Sequence, residues 1–223
     1  MMGCFVTGTD TGVGKTLVSA GLLYTLARHH PRVVGMKPVA AGLVPWGDDW
    51  ACEDALALRS ASTLAVAPAL DNPVLLPDPL SPHIAAARAG VQIDIAAIVR
   101  SYQALAAQAD AVVVEGAGGF LVPLTDTLTG ADLAQALRLP VVLVVGLRLG
   151  CLNHALLTAE AIRARGLPLA GWVANRVDPA MEAADENIAY LRARLGAPLL
   201  AEVPYQELPD AHGLVFELSK EWL

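Results

Sequence analysis

Short runs of apolar, mostly β-branched residues alternate along the chain with longer alanine- and leucine-rich stretches. The runs at residues 3–7, 33–36, 111–115, 140–146, 169–174 and 199–203 are apolar at most successive positions. That pattern belongs to strands buried on both faces of a parallel sheet, whereas a half-exposed strand is apolar at every second position. The stretches at residues 16–28, 94–108, 131–137, 153–165 and 183–195 have helical length and composition. Their alternation predicts an α/β fold, a doubly wound, mainly parallel sheet with helices on both faces. No internal repeat or linker-like segment divides the chain, so residues 1–223 read as one domain. Residues 68–82 carry five prolines and read as a loop. The loop ends in Ser81-Pro82-His83, where serine as N-cap and proline as first helical residue open a helix through residues 85–88. A site role for Ser81 or His83 is the competing reading.

Composition narrows the classes. Hydrophobic residues make up 55% of the chain and charged ones 17%, which excludes disorder. The longest apolar run, residues 139–147, stops at Arg148 and is less than half of a membrane span of roughly 20 residues. The net charge is −7 and the lysines are only Lys15, Lys37 and Lys220, so no basic face for nucleic acid is present. Cys4, Cys52 and Cys151 have neither disulfide-framework nor zinc spacing. The first cation is Lys15, which does not fit a secretory leader, and the expected location is the cytoplasm.

With so few lysines, two positions stand out. Gly8-Thr9-Asp10-Thr11-Gly12-Val13-Gly14-Lys15-Thr16 follows the first predicted strand and opens the first helix. Glycines there let backbone N–H groups turn inward around phosphate oxygens. The helix N-terminus adds positive charge, Lys15 can reach the β- and γ-phosphates, and the Thr16 hydroxyl can ligate Mg²⁺. Five residues separate Gly8 from the Gly14-Lys15 pair, one more than the usual P-loop spacing. Lys37, in Gly35-Met36-Lys37-Pro38-Val39, ends the second strand and falls on the same sheet edge. A second cation there suits a site where anions form or transfer.

Ala111-Val112-Val113-Val114-Glu115-Gly116-Ala117-Gly118-Gly119 places a carboxylate at the end of a buried strand. Mg²⁺ takes one or two carboxylates plus phosphate oxygens and water, and Glu115 supplies one. Asp54 can supply a second, although spacing alone does not select it over Glu53. Asn175-Arg176-Val177-Asp178 is a weak version of a guanine-reading element that lacks its lysine, and the Asn175 amide can still meet a purine edge.

Together these segments resemble the dethiobiotin synthetases. The match is carried by Phe5-Val6-Thr7-Gly8-Thr9-Asp10-Thr11 with Val13-Gly14-Lys15-Thr16, by Lys37-Pro38-Val39, by Asp54-Ala55-Leu56 and by Ser81-Pro82-His83. It continues through Val114-Glu115-Gly116-Ala117-Gly118-Gly119, Leu149-Gly150-Cys151, Asn153-His154-Ala155 and Gly171-Trp172-Val173-Ala174-Asn175. The longer loop spacing is that family's own form. The resemblance implies a cyclo-ligase that uses ATP and Mg²⁺ to join 7,8-diaminopelargonate and CO₂, working as a homodimer. It implies Lys15, Lys37 and Thr11 as catalytic residues and Thr16, Asp54 and Glu115 as Mg²⁺ ligands. ATP would be held by Gly12, Val13, Gly14, Lys15, Thr16 and Leu17, by Asp54, Glu115, Gly116, Ala117 and Gly118, and by Asn175, Arg176, Pro204, Tyr205 and Gln206. The substrate would meet Ala41 and, across the dimer, Gly150, Cys151, Leu152 and Asn153.

Three positions depart from the family pattern. Ala41 stands where serine is common, Gly12 where some members have an acid, and Asn187 where a tyrosine is expected, with Tyr190 one helical turn on as a substitute. The rival reading is a partitioning-type ATPase switch. Such proteins carry an extra lysine early in the P-loop, whereas this chain has Thr7-Gly8-Thr9. A GTPase-like module is weakened by the missing lysine beside Asn175, and a glutamine-dependent ligase would need a long amidotransferase extension.

Overall fold

Residues 141–146 offer no polar side chain to either face, and they are buried along their whole length as an inner strand. The computed structural model describes residues 2–219 and residue 222; Lys220 lies outside the described residues. In chain order the strands are β1 (Met2–Gly8), β2 (Val33–Met36), β3 (Val39–Ala41), β4 (Val44–Trp46), β5 (Asp49–Ala51), β6 (Val74–Leu76), β7 (Ala111–Gly119), β8 (Val141–Gly146), β9 (Leu169–Asn175) and β10 (Leu199–Val203). The helices are α1 (Lys15–Leu26), α2 (Glu53–Ala61), α3 (Pro68–Asp71), α4 (Pro82–Ala89), α5 (Ile95–Ala106), α6 (Gly130–Leu137), α7 (Cys151–Ala164) and α8 (Ala184–Arg194).

Six strands form one sheet in the order β10-β9-β8-β1-β7-β2. Every pairing in it is parallel, so all six carboxyl ends share one edge. The strands bury both faces along most of their length, the exposed Glu202 on the edge strand β10 apart. Phe5, Val112 and Val114 pack with Ile98 and Leu105 of α5 and with Leu133 of α6. Cys4, Val6, Val113 and Val144 face the other way, against Leu22, Leu23 and Leu26 of α1 and Leu58 of α2. At the far side, Leu143, Val145 and Trp172 meet Ala155 and Ala159 of α7 and Ile188 and Leu191 of α8. This is the doubly wound parallel sheet the apolar runs predict.

The predicted strands match to within a residue or so at their ends, except one. β7 runs on to Gly119 instead of stopping at Glu115, because pairing with β1 resumes at Gly8 and Gly119 after an irregularity. The reading of residues 68–82 as a loop is corrected: they contain α3 and β6. β6 exists because it pairs with β3, and the prolines tolerate it by standing at element starts and flanks, with Pro68 in the first turn of α3. Helix α2 is also absent from the sequence reading. It starts after Cys52, whose side chain caps nothing, and Glu53 and Asp54 in its first turn are its only start signal. Helix α4 begins at Pro82 as expected, but the Ser81 hydroxyl makes no capping hydrogen bond. No helix among the described residues is long and apolar enough to cross a membrane.

Side-chain caps fix two helix starts. The Asp94 carboxylate accepts from the Ala96 N–H at 2.8 Å. At α6, Thr129 and Asp132 form a capping box, and Arg165 also donates to Asp132 at 2.6 Å. Burial by itself would raise the Asp132 carboxyl, but hydrogen bonds from Thr129 and Arg165 outweigh it and pull the group from 3.8 to about 2. Asp132→Ala is therefore expected to cost about 1–2 kcal/mol at neutral pH. A depressed carboxyl stabilises above its unfolded pKa and loses that effect as pH falls through its folded one. The gap between variant and wild type, followed by chemical denaturation, should accordingly close as the pH drops from about 4 to about 2.

Candidate active site

The chain leaves β1 at the carboxyl edge and turns back into α1 through residues 9–14. Gly12 and Gly14 have φ of +73° and +88°, in the left-handed region that favours glycine. At Gly14 a Cβ would also fall 2.1 Å from Asn175 Nδ2. Its absence lets that amide nitrogen donate to the Val13 carbonyl at 2.8 Å, which ties the loop to the end of β9. No side chain caps α1, whose N-cap is Gly14. Its first N–H groups and the positive end of its dipole are left for an anion. Lys15 is buried beside them and donates to the Asp10 carbonyl at 3.1 Å. Burial chiefly, and Lys37 next, lower its pKa, with Glu115, Asp54 and Asp10 opposing.

The Lys37 ammonium sits 2.7 Å from Asp54 Oδ2 and 2.6 Å from Glu115 Oε1, and it donates to the Gly116 carbonyl at 3.3 Å. Lys37 is 4% exposed and Glu115 0%. Burial opposes the charge on Lys37, but the attraction of Glu115 and Asp54 overcomes it, and the net direction is upward. For Asp54, burial raises the carboxyl, while Lys37, Thr16 and Lys15 together outweigh it and hold it below its ordinary value. The Thr16 hydroxyl lies 2.9 Å from Asp54 Oδ1 and 3.0 Å from Glu115 Oε1, so it can donate to either. Geometry thus selects Asp54 over Glu53, which spacing alone does not.

The backbone of Lys37 is held by the segment read as a loop. Its N–H donates to the Asp71 carbonyl at 2.7 Å, and the buried Asn72 side chain donates to the Lys37 carbonyl at 2.7 Å. Asp71 is in turn gripped by Arg59 of α2, at 2.6 and 2.7 Å. Sequence reasoning missed Arg59, Asp71 and Asn72, because none of them belongs to a motif, and Asp71 and Asn72 meet Lys37 only at its main chain while Arg59 acts through Asp71.

Thr16, Asp54 and Glu115 offer hard oxygen donors, and Glu115 Oε2 is buried with no hydrogen-bond partner. That orphaned carboxylate oxygen fits a divalent cation. No group of three or more His, Cys, Asp or Glu side chains that could hold a metal occurs among the described residues. Two carboxylates and a hydroxyl suit Mg²⁺, which keeps water and takes phosphate oxygens, better than a metal needing a full protein cage.

Thr11, Lys37, Ala41, Asp54, Ser81, Ala117 and Gly118 line one open cleft of about 520 Å³. Asn175 stands beside Val203 in the β9–β10 pairing, so Pro204, Tyr205 and Gln206 leave the sheet next to it. Leu17 lies on α1 and Gly116 on β7. The Arg176 guanidinium is engaged with Asp185 and, at 3.9 Å, with Glu202. Gly150 is the left-handed N-cap of α7, and Gly150, Cys151, Leu152 and Asn153 are not part of this cleft's lining. Tyr190 is exposed on α8 with the Arg194 guanidinium 5.3 Å over its ring.

A strand, a glycine turn, a lysine at the helix start and a buried strand carboxylate facing that helix start define a P-loop nucleotide-binding α/β protein. Residues 2–212 match the sequence family described as an AAA domain. The chain is 57% identical over 203 residues to the ATP-dependent dethiobiotin synthetase of Aromatoleum aromaticum, covering 90% of this chain and 89% of that one. It belongs to the dethiobiotin synthetase family. Among solved structures, the MinC:MinD cell division complex of Aquifex aeolicus aligns with a TM-score of 0.58 at 15% identity, over 93% of this chain and 82% of that one. The cell division ATPase MinD of Pyrococcus furiosus aligns with a TM-score of 0.57 at 18% identity, over 92% and 84%. At such identities the likeness shows the fold alone.

Asn72→Ala is expected to destabilise the protein by about 1–3 kcal/mol, because the Lys37 carbonyl loses its partner in a buried place. Urea denaturation of the variant beside wild type measures it.

Proposed function

We propose that this chain closes the ureido ring of dethiobiotin from 7,8-diaminopelargonate, CO₂ and ATP, releasing ADP and phosphate, with Lys15, Lys37 and Thr11 as the catalytic residues. The observation that carries these roles is the buried Lys37 ammonium, which lines the same cleft as Thr11 and lies against Asp54 and Glu115, the two carboxylates within hydrogen-bond reach of Thr16 at the end of the P-loop. One amine of the substrate takes up CO₂ as a carbamate. Its oxygen attacks the γ-phosphorus of ATP and ADP departs. The second amine then attacks the carbonyl carbon of the mixed anhydride and expels phosphate. Every reacting oxygen is anionic, so fixed positive charge and positioning are what the chemistry needs. Lys37 would neutralise the carbamate, Lys15 the γ-phosphate, and Thr11 would orient them. No histidine base is needed, because the carbamate oxygen is already a nucleophile.

Gly12, Val13, Gly14, Lys15, Thr16 and Leu17 would hold the phosphates with Gly116, Ala117 and Gly118. Thr16, Asp54 and Glu115 would hold Mg²⁺. Mg²⁺ held there would supply positive charge to the phosphate oxygens. Asn175 spends its amide nitrogen on Val13, which leaves its carbonyl oxygen for the adenine amino group. Arg176, Pro204, Tyr205 and Gln206 would flank the base.

The same reading makes the protein a cytoplasmic homodimer of single-domain subunits. Supporting the single domain is the C-terminal stretch, whose Leu214 and Phe216 pack into the same core as α1. Supporting the dimer, the α7 N-terminus lies outside this subunit's cleft lining, and Leu149 beside it is 97% exposed. Uncapped N–H groups there suit the carboxylate tail of substrate bound by a neighbouring subunit. Ala41, in this subunit's cleft, gives that substrate no hydroxyl contact.

Phosphate release from Mg-ATP, measured with product mass, tests the reading. Release is expected only with both 7,8-diaminopelargonate and bicarbonate, together with a dethiobiotin mass. Nucleotide binding without diamine-dependent turnover would overturn it in favour of an ATPase switch.

A further inference from the structure

We propose that Arg148 is a positioning residue of the phosphate loop, acting through Asp10; the inference rests on the ATP site proposed above. Arg148 follows β8 by two residues, and Asp10 follows β1 by two, on strands that pair directly. The Arg148 guanidinium is bonded to Asp10 Oδ2. The other carboxylate oxygen of Asp10 accepts the Thr11 N–H at 2.7 Å, and the Asp10 carbonyl accepts Lys15 Nζ at 3.1 Å. One residue thus holds both Thr11 and Lys15, and Arg148 anchors that residue from outside the loop. Asn175 performs the equivalent task at Val13. The loop is pinned at two points by the neighbouring strands β8 and β9.

Charge gives Arg148 a second effect through the same contact. Asp10 is a carboxylate at the mouth of a site for a polyanion, and Arg148 cancels it. Without the guanidinium, Asp10 would face the triphosphate within a Debye length and repel it. The pair is about half exposed, with side chains 42% and 48% accessible, so it contributes little to global stability. Its consequence falls on ligand binding, which separates it from a structural salt bridge. Arg148 also lies two residues before Gly150, so a direct contact with the substrate's carboxylate tail is the alternative that a test must distinguish.

The test uses Arg148→Met, Arg148→Lys, Asp10→Asn and the Asp10→Asn/Arg148→Met double variant, with Mg-ATP binding measured by calorimetry in the absence of diamine. Arg148→Met should weaken Mg-ATP binding by roughly tenfold or more, with an unchanged thermal midpoint and an unchanged KM for 7,8-diaminopelargonate. Arg148→Lys should restore most of the loss. The double variant should bind better than Arg148→Met alone, since the uncompensated carboxylate is gone. Wild-type affinity in Arg148→Met would overturn the proposal, as would losses that simply multiply in the double variant. A raised diamine KM with unchanged ATP affinity would also overturn it and make Arg148 a substrate contact. Failure of the wild-type protein itself to bind Mg-ATP would instead remove the ATP site on which the inference stands.

Discussion

A lysine ammonium that is almost fully buried stays charged only if carboxylates lie against it. Lys37 has two, Asp54 and Glu115, and the architecture of the site follows from keeping the three together. Glu115 comes from the middle of β7, just past its pairing with β2, Lys37 from just past β2, and Asp54 from the first turn of α2. β2 and β7 are neighbours in the sheet, so a parallel pairing delivers the first two to one edge without any further device. Asp54 needs α2 in place, and α2 is tied down through Arg59 to Asp71, whose carbonyl holds the Lys37 N–H. The segment that carries Asp71 and Asn72 thus positions the cation from behind, while the carboxylates face it from the front. Breaking one partner of such a cluster leaves an unpaired charge in a low-dielectric place, which is why each member needs the others.

The same cluster is arranged for anionic ligands. Burial and then Lys37 lower the pKa of Lys15, with Glu115, Asp54 and Asp10 opposing, whereas Lys37 itself is raised by Glu115 and Asp54 against its burial. Thr16 connects the phosphate loop to both carboxylates. Two cations, two carboxylates and one hydroxyl give a nearly neutral site that an incoming triphosphate and its divalent cation would enter as a matched pair. The carboxylates would turn to the metal and the ammonium groups to the phosphate and carbamate oxygens. Catalysis by preorganised charge costs no reorganisation at the reacting step when such groups are already in place.

Much of this was legible from residue patterns. Continuous apolar runs signalled a parallel sheet because each strand is buried on both faces, and the P-loop signalled its own position because strand, glycines, lysine and helix are contiguous. Glu115 was readable as the carboxylate that follows a buried apolar run, although the strand itself continues to Gly119. What was not legible depends on contacts between distant segments. Asp54 is chosen over Glu53 only by the direction its helix turn faces. β6 exists because β3 pairs with it, against the weight of five prolines around it. Arg148 and Asp10 are 138 positions apart, and nothing but adjacent strand ends joins them. Ser81 opens α4 by its place in the chain, yet its hydroxyl is not spent on the cap, and the residue lines the cleft with Lys37.

The central claim is that the buried Lys37 charge serves the reaction as well as the fold. Single-turnover formation of dethiobiotin by a Lys37→Met protein, with folding and Mg-ATP binding verified beforehand, tests it most directly. The account predicts a rate about a thousandfold below wild type while Mg-ATP still binds. A rate equal to wild type in a folded, nucleotide-binding variant would contradict it.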